Sequence, residues 1–227
     1  MATKRVYNSI KFPLLTLPVG ALLSLFGYTY AQQNQISIDL NQLNWAERRF
    51  RGSTDYRFVE EDRQLVIASE ANGTASALYQ EIDLDLNEFP ILHWSWQVDM
   101  SEFSTPTNTD ETSRAGDDFA ARIYIIRRGG LKFWKTRAIN YVWSRSLAID
   151  QRWNNPYSNG NQLMWVVSSG ESDVWVSNSR NIREDWKVAF NEDISSLDGL
   201  ALMTDADNTG LVVRAKFKNI YFENLRE

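Results

Sequence analysis

Four aspartates in two short phrases are the residues of this chain best suited to chemistry. Asp117 and Asp118 stand in Gly116-Asp117-Asp118-Phe119, and Asp205 and Asp207 in Thr204-Asp205-Ala206-Asp207-Asn208-Thr209-Gly210. Carboxylates at this density can hold a hard cation, hydrogen-bond sugar hydroxyls, or work as a pair in glycoside hydrolysis. The second phrase copies the first half of an EF-hand loop, whose twelfth position must be a bidentate glutamate. Counted from Asp205 that position is Lys216, so the EF-hand reading fails. A different oxygen-ligand calcium site at Asp205 and Asp207 stays open. The favoured reading is an Asp-rich turn whose carboxylates accept N–H groups of that same turn. His93 is the only histidine and there is no cysteine, which excludes nitrogen- and thiolate-ligand metal centres. No cofactor is implied beyond that calcium.

Arg122 and Tyr124 follow the first phrase at alternate positions. If the strand runs back through Asp118, that aspartate shares their face and Asp117 points away. A carboxylate, a guanidinium and an aromatic ring on one sheet face make a sugar-binding floor. The same groups can equally form a structural ion pair that is costly to break. The ligand-binding candidates are therefore Asp117, Asp118, Arg122, Tyr124, Trp153, Asp205, Asp207 and Asn208. Of the nine tryptophans, Trp94, Trp96, Trp143, Trp165 and Trp175 fall in predicted strands, where aromatics fill cores. Trp45, Trp134, Trp153 and Trp186 sit nearer loops and are better placed as exposed stacking platforms. No catalytic residue is assigned. Acids are too abundant for any one pairing to stand out, and there is no Gly-x-Ser-x-Gly and no phosphate-cradling glycine loop. His93 alternates with Trp94 and Trp96 and belongs on the face opposite them, as a structural residue.

The elements that position these groups read as strands. Short runs rich in Val, Ile, Tyr, Phe and Trp lie at 37–40, 64–69, 77–84, 91–98, 119–126, 138–143, 164–168, 174–177, 200–203 and 211–223. Asn72-Gly73, Arg128-Gly129-Gly130, Asn159-Gly160, Ser169-Gly170 and Asp198-Gly199 supply turn signals. Strands at this spacing without alternating helices predict an all-β antiparallel sandwich. The best short-helix candidate is 181–190, with Asn181 able to cap it, and strand and turn is the equal alternative. The polar stretch 101–116 is either a functional loop or a floppy hairpin extension.

Lys4, Arg5 and Lys11 precede an apolar run from Phe12 to Tyr28, and Thr29-Tyr30-Ala31 offers small residues where a signal peptidase reads. Prolines and glycines interrupt the run, which is short for a bilayer crossing of about 20 residues. The expectation is a cleaved secretory signal at 1–31, rather than an uncleaved anchor, and a single sandwich domain at 32–227. That leader carries three basic and no acidic residues, so its loss takes the formal charge from −5 to −8. So acidic a chain repels phosphate backbones and anionic lipid. Nucleic acid is excluded as a partner, and so is stable membrane insertion after cleavage. The expected location is periplasmic or secreted.

Several phrases line up in order: Trp45…Phe50-Arg51-Gly52, Pro90-Ile91-Leu92-His93-Trp94-Ser95-Trp96, Gly116-Asp117-Asp118-Phe119-Ala120-Ala121-Arg122-Ile123-Tyr124, and Thr204-Asp205-Ala206-Asp207-Asn208-Thr209-Gly210. In these the chain resembles a family of exported bacterial proteins known as domain of unknown function 3047. The resemblance implies a periplasmic jelly roll similar to galactose-binding and carbohydrate-binding modules, and it brings no established activity. The leading expectation is a non-catalytic module for a glycan or similar polyhydroxyl ligand. The alternatives are a glycoside hydrolase or polysaccharide lyase, and an envelope accessory protein whose face binds another protein.

Overall fold

Along β6 (Ile91–Asp99) Leu92, Trp94, Trp96 and Val98 are buried, while His93 and Gln97 turn to the other side, as a period of two requires. The same alternation runs through β8 (Arg137–Ser144), where Ile139, Tyr141 and Trp143 turn inward. Packing these faces together builds the protein. Trp94 stacks on Tyr141 with ring centroids 5.5 Å apart, and Trp96 meets Trp143 at 5.9 Å. The structure, a computed structural model, describes residues 34–99, 109–129, 136–170 and 173–225. The leader read at 1–31, Trp134 and the 101–108 part of the polar stretch lie outside those residues.

The remaining strands are β1 (Gln35–Ser37), β2 (Ala46–Arg51), β3 (Asp55–Glu61), β4 (Gln64–Asn72), β5 (Ala75–Asp85), β7 (Arg122–Arg127), β9 (Arg152–Asn154), β10 (Gln162–Ser169), β11 (Val176–Asn181), β12 (Ser196–Asp205) and β13 (Val212–Glu223). One sheet runs β11-β6-β13-β4-β3, with β1 also paired to β13, and the other runs β2-β5-β12-β7-β8-β10-β9. The fold is a jelly-roll-type β-sandwich, all-β as expected, with one departure. β10 pairs parallel to β8, because residues 145–161 carry the chain back across, and β9 within that crossing lies antiparallel against β10. Alternating burial carries no information on strand direction, so the sequence pattern could not show this.

Three strands escaped the pattern. β2 reads Ala-Glu-Arg-Arg-Phe-Arg and is largely exposed at a sheet edge; β3 occupies another edge, and β9 is only three residues long. Asp198-Gly199 is not a turn. It sits inside β12 at a bulge between Leu197 and Gly199. The helix α1 spans Ile182–Phe190, and the Asn181 side chain accepts the Glu184 N–H as its cap. This helix lays Trp186 fully into the core, which corrects its reading as an exposed platform. Among the described residues no helix is long and apolar enough to cross a membrane.

Candidate functional site

The chain reaches β7 through a short 3-10 turn, Arg114–Gly116, that needs its glycine. A Cβ on Gly116 would lie 2.3 Å from the Asp110 carbonyl oxygen. The neighbouring Glu111 is buried and accepts from the Ser144 hydroxyl (2.7 Å) and the Arg145 N–H (2.9 Å). Residues 109–116 are therefore anchored to the sandwich and form no floppy extension.

Beyond that turn the backbone is not extended: Asp117 has φ −75° and ψ 44°. The chain also bends at Ala120 and Ala121 before β7 begins at Arg122, so the parity argument from Asp118 fails, and Asp117 becomes a partner of Arg122. Arg122 points away from the core residues Ile123 and Ile125, yet it is only 2% exposed. Phe119 covers it, with the guanidinium carbon 4.9 Å from the ring centroid. Its Nη2 donates to the Asp117 carbonyl (3.1 Å) and to Asp205 Oδ2 (3.1 Å), with Asp117 Oδ1 at 3.4 Å. Its Nη1 donates to the Tyr124 hydroxyl (3.1 Å). Asp205 also accepts the Phe119 N–H. Asp118 turns to the other loop and accepts from Asn208 N and Nδ2, at 3.1 Å each, and from Thr209 N at 2.6 Å.

All four aspartates thus gather in one knot with Arg122, Tyr124 and Asn208. The turn at 206–209 is held by Asp118 from the opposite loop, and Asp205 is tied to the N–H of Phe119. Of the two carboxylates expected to serve their own turn, Asp205 binds the opposite phrase instead, while Asp207 takes a hydrogen bond from its own backbone N–H. Trp153 is half-buried beside Phe119, centroids 6.1 Å apart, and is no exposed platform; Trp45 is half-buried too, its indole N–H donating to the Asp39 carbonyl. Asp118, Asp205 and Asp207 each offer an oxygen within 4.8 Å of the others. Those three are the groups that could ligate a hard cation, although Arg122 and loop N–H groups already bind two of them.

Burial governs the ionisation of the knot. Burial raises Asp205, Arg122 pulls it back, and the charges of Asp117 and Asp118 push it up again, so it ends well above the usual carboxylate range. Asp117 is raised by burial as well, with Arg122 opposing. Tyr124 is pushed up to about 12, mainly by burial. Tyr124 is therefore no base at neutral pH. A carboxyl raised in the folded state binds its proton more tightly there. Its stabilising contribution is complete below the unfolded value, about 3.9, and is lost as pH rises through the folded value. The melting temperature is therefore expected to be higher at pH 5 than at pH 8, with a smaller difference in Asp205→Asn. A scan that is flat or rises toward pH 8 would contradict this.

Next to the knot, the outer face of the seven-stranded sheet opens into a groove of about 490 Å³. Ala77, Ala138 and Ala201 keep its floor low. Tyr79 and Tyr124, both half-buried, stand on either side of Ala201 in register, about 10 Å apart by strand spacing. Tyr79 lies across β12, because Gly199 offers no side chain there. A Cβ on Gly199 would come within 2.5 Å of Tyr79 Cε2. The Tyr79 hydroxyl donates to the Asp198 carbonyl at 3.3 Å and accepts from Arg128 at 2.6 Å. Arg48, Phe50, Arg137 and Gln162 complete the lip. Of these residues, only Tyr124 was singled out in the sequence. The available signal was small residues at every second position, Ala75-x-Ala77-x-Tyr79 and Gly199-x-Ala201-x-Met203, which marks a face kept low.

A model of the family described as "Protein of unknown function (DUF3047)" matches residues 43–221. No curated protein matches the chain. Among solved structures the chain is similar to the family 11 carbohydrate-binding module of the cellulosomal cellulase Lic26A-Cel5E of Clostridium thermocellum. Identity is 8% over 85% of this chain and 96% of that one, with a TM-score of 0.45. It is also similar to endoglucanase cel12A from Rhodothermus marinus, at 12% identity, 84% and 99% coverage, and a TM-score of 0.46. The xyloglucanase domain of NopAA from Sinorhizobium fredii gives 9% identity, 81% and 95% coverage, and a TM-score of 0.44.

Proposed function

The chain belongs to the DUF3047 family, and from that premise we propose that it is an exported, non-catalytic module that binds a glycan in the groove beside the knot. The observation that carries this reading is Tyr79 laid across β12 over Gly199, with Tyr124 one strand beyond Ala201. Two aromatic rings on a low floor match the apolar C–H faces of a sugar chain, and the Arg and Gln side chains of the lip match its hydroxyls. The knot acts as the mount. Arg122 holds the Tyr124 hydroxyl from below, and the aspartates hold Arg122.

Hydrolysis needs two carboxyl groups facing across the scissile bond, roughly 5–9.5 Å apart. Among the described residues that line the groove, Glu47 is the one carboxylate, and it is engaged by Arg49 and Ser53. The purified protein on a glycan array, followed by incubation of each hit, tests the proposal. Binding without turnover is expected. Cleavage of a bound glycan would replace the proposal with a hydrolase or lyase, and silence across the array would favour a face that binds another protein.

A further inference from the structure

The lip of the groove is cationic in an acidic protein. The whole chain carries a formal charge of −5, yet Arg48, Arg128 and Arg137 line this groove against Glu47 alone. Glu47 is turned to Arg49 and Ser53, so its charge is already answered outside the groove. Arg48 makes no ion pair among the described residues, and its guanidinium carbon stands 5.6 Å from the Phe50 ring centroid. Arg128 pairs with Glu81 and Arg137 with Glu192, but both pairs are well exposed, with side chains 40–71% accessible. Exposed pairs of this kind are worth little and exchange readily with another anion.

Resting on the glycan reading above, we propose that the groove selects an anionic sugar chain whose charges are carboxylates, a polyuronate. A guanidinium presents two parallel N–H donors that fit the two oxygens of a carboxylate, with a directionality that a hydroxyl does not match. Arg48 on β2 and Arg137 on β8 flank the strands that carry the two tyrosines, and Arg128 stands against Tyr79 itself, 5.8 Å from its ring centroid. A chain stacked on Tyr79 and Tyr124 therefore brings carboxylates to both flanks. Arg48 is the unpaired anchor, and Arg128 and Arg137 exchange their exposed glutamates for ligand.

The test uses the purified protein and oligomers of galacturonate, glucuronate and mannuronate, each beside its carboxyl-reduced neutral form, with binding measured by calorimetry at low and high salt. At least one uronate oligomer is expected to bind about tenfold more tightly than its neutral form, and the margin should shrink in high salt. In Arg48→Gln and Arg137→Gln the margin should fall toward one, with melting temperatures unchanged. Neutral oligomers binding as tightly as uronates would overturn this inference and leave the glycan reading standing. A margin that survives both substitutions would also overturn it. If neither set binds and no glycan on the array binds, the glycan reading itself falls. A sulfated oligosaccharide displacing the uronate at lower concentration would assign the site to sulfate instead.

Discussion

Replacing Arg122 with alanine is expected to lower the stability of the folded protein by about 3–5 kcal/mol, the range for breaking a buried ion pair from one side. Among the described residues the guanidinium is the one cation touching the buried Asp117 and Asp205 carboxylates, and it also carries the Tyr124 hydroxyl. Without it those acids must stay charged in an apolar surrounding or take up protons, and Phe119 loses the group it covers. In a domain of this size the melting temperature should fall by roughly 10 °C or more. Removing both sides at once should cost less, so Arg122→Met combined with Asp205→Asn is expected to recover part of the loss. Urea denaturation of the single and double variants measures both. A loss below about 1 kcal/mol, the range of exposed pairs, would show that the knot is not a mount.

The second large effect is expected from one methyl group. Gly199→Ala places a Cβ where the Tyr79 ring now lies, and the ring must swing off β12 toward solvent. Gly199 lacks the positive φ seen at Gly52, Gly73 and Gly210, so its backbone accepts alanine without strain. The clash is with the far end of a side chain that can rotate. Stability should therefore change little, while affinity for the glycan found on the array drops at least tenfold, about 1.4 kcal/mol. Tyr79→Ala should lose as much, and the double variant no more than either single one, because both remove the same ring. Full affinity in Gly199→Ala would take the tyrosine floor out of the binding reading.

Asn181 shows what was legible in the sequence and why. A capping side chain followed by Glu184 and Asp185 is a local signal, and the helix stands where it was expected. The period-two runs of β6 and β8 are local in the same sense. The Asp117–Asp118 reading failed at the one step where alternation was carried past the end of a strand, into backbone that is not extended. The groove was illegible for a different reason. Arg48, Tyr79 and Gly199 come from three separated strands, and they meet only through register, which the bulge at Leu197/Gly199 shifts by one residue. Periodicity shows that Ala77 and Tyr79 share a face, but not which residues lie across from them.

The order of the strands has a consequence for how this chain comes into being. β12 lies between β5 and β7, and β13 between β6 and β4, so both sheets are bridged by strands from residues 196–223, later in the chain than the strands they join. Until residues 196–223 exist, β5 and β7 have no strand to bridge them, and neither do β4 and β6. The earlier segments can collapse but cannot pair into this sandwich, since the decisive contacts span much of the chain and close last. A chain that has not yet closed these contacts keeps strand edges unpaired, and that is the state aggregation threatens.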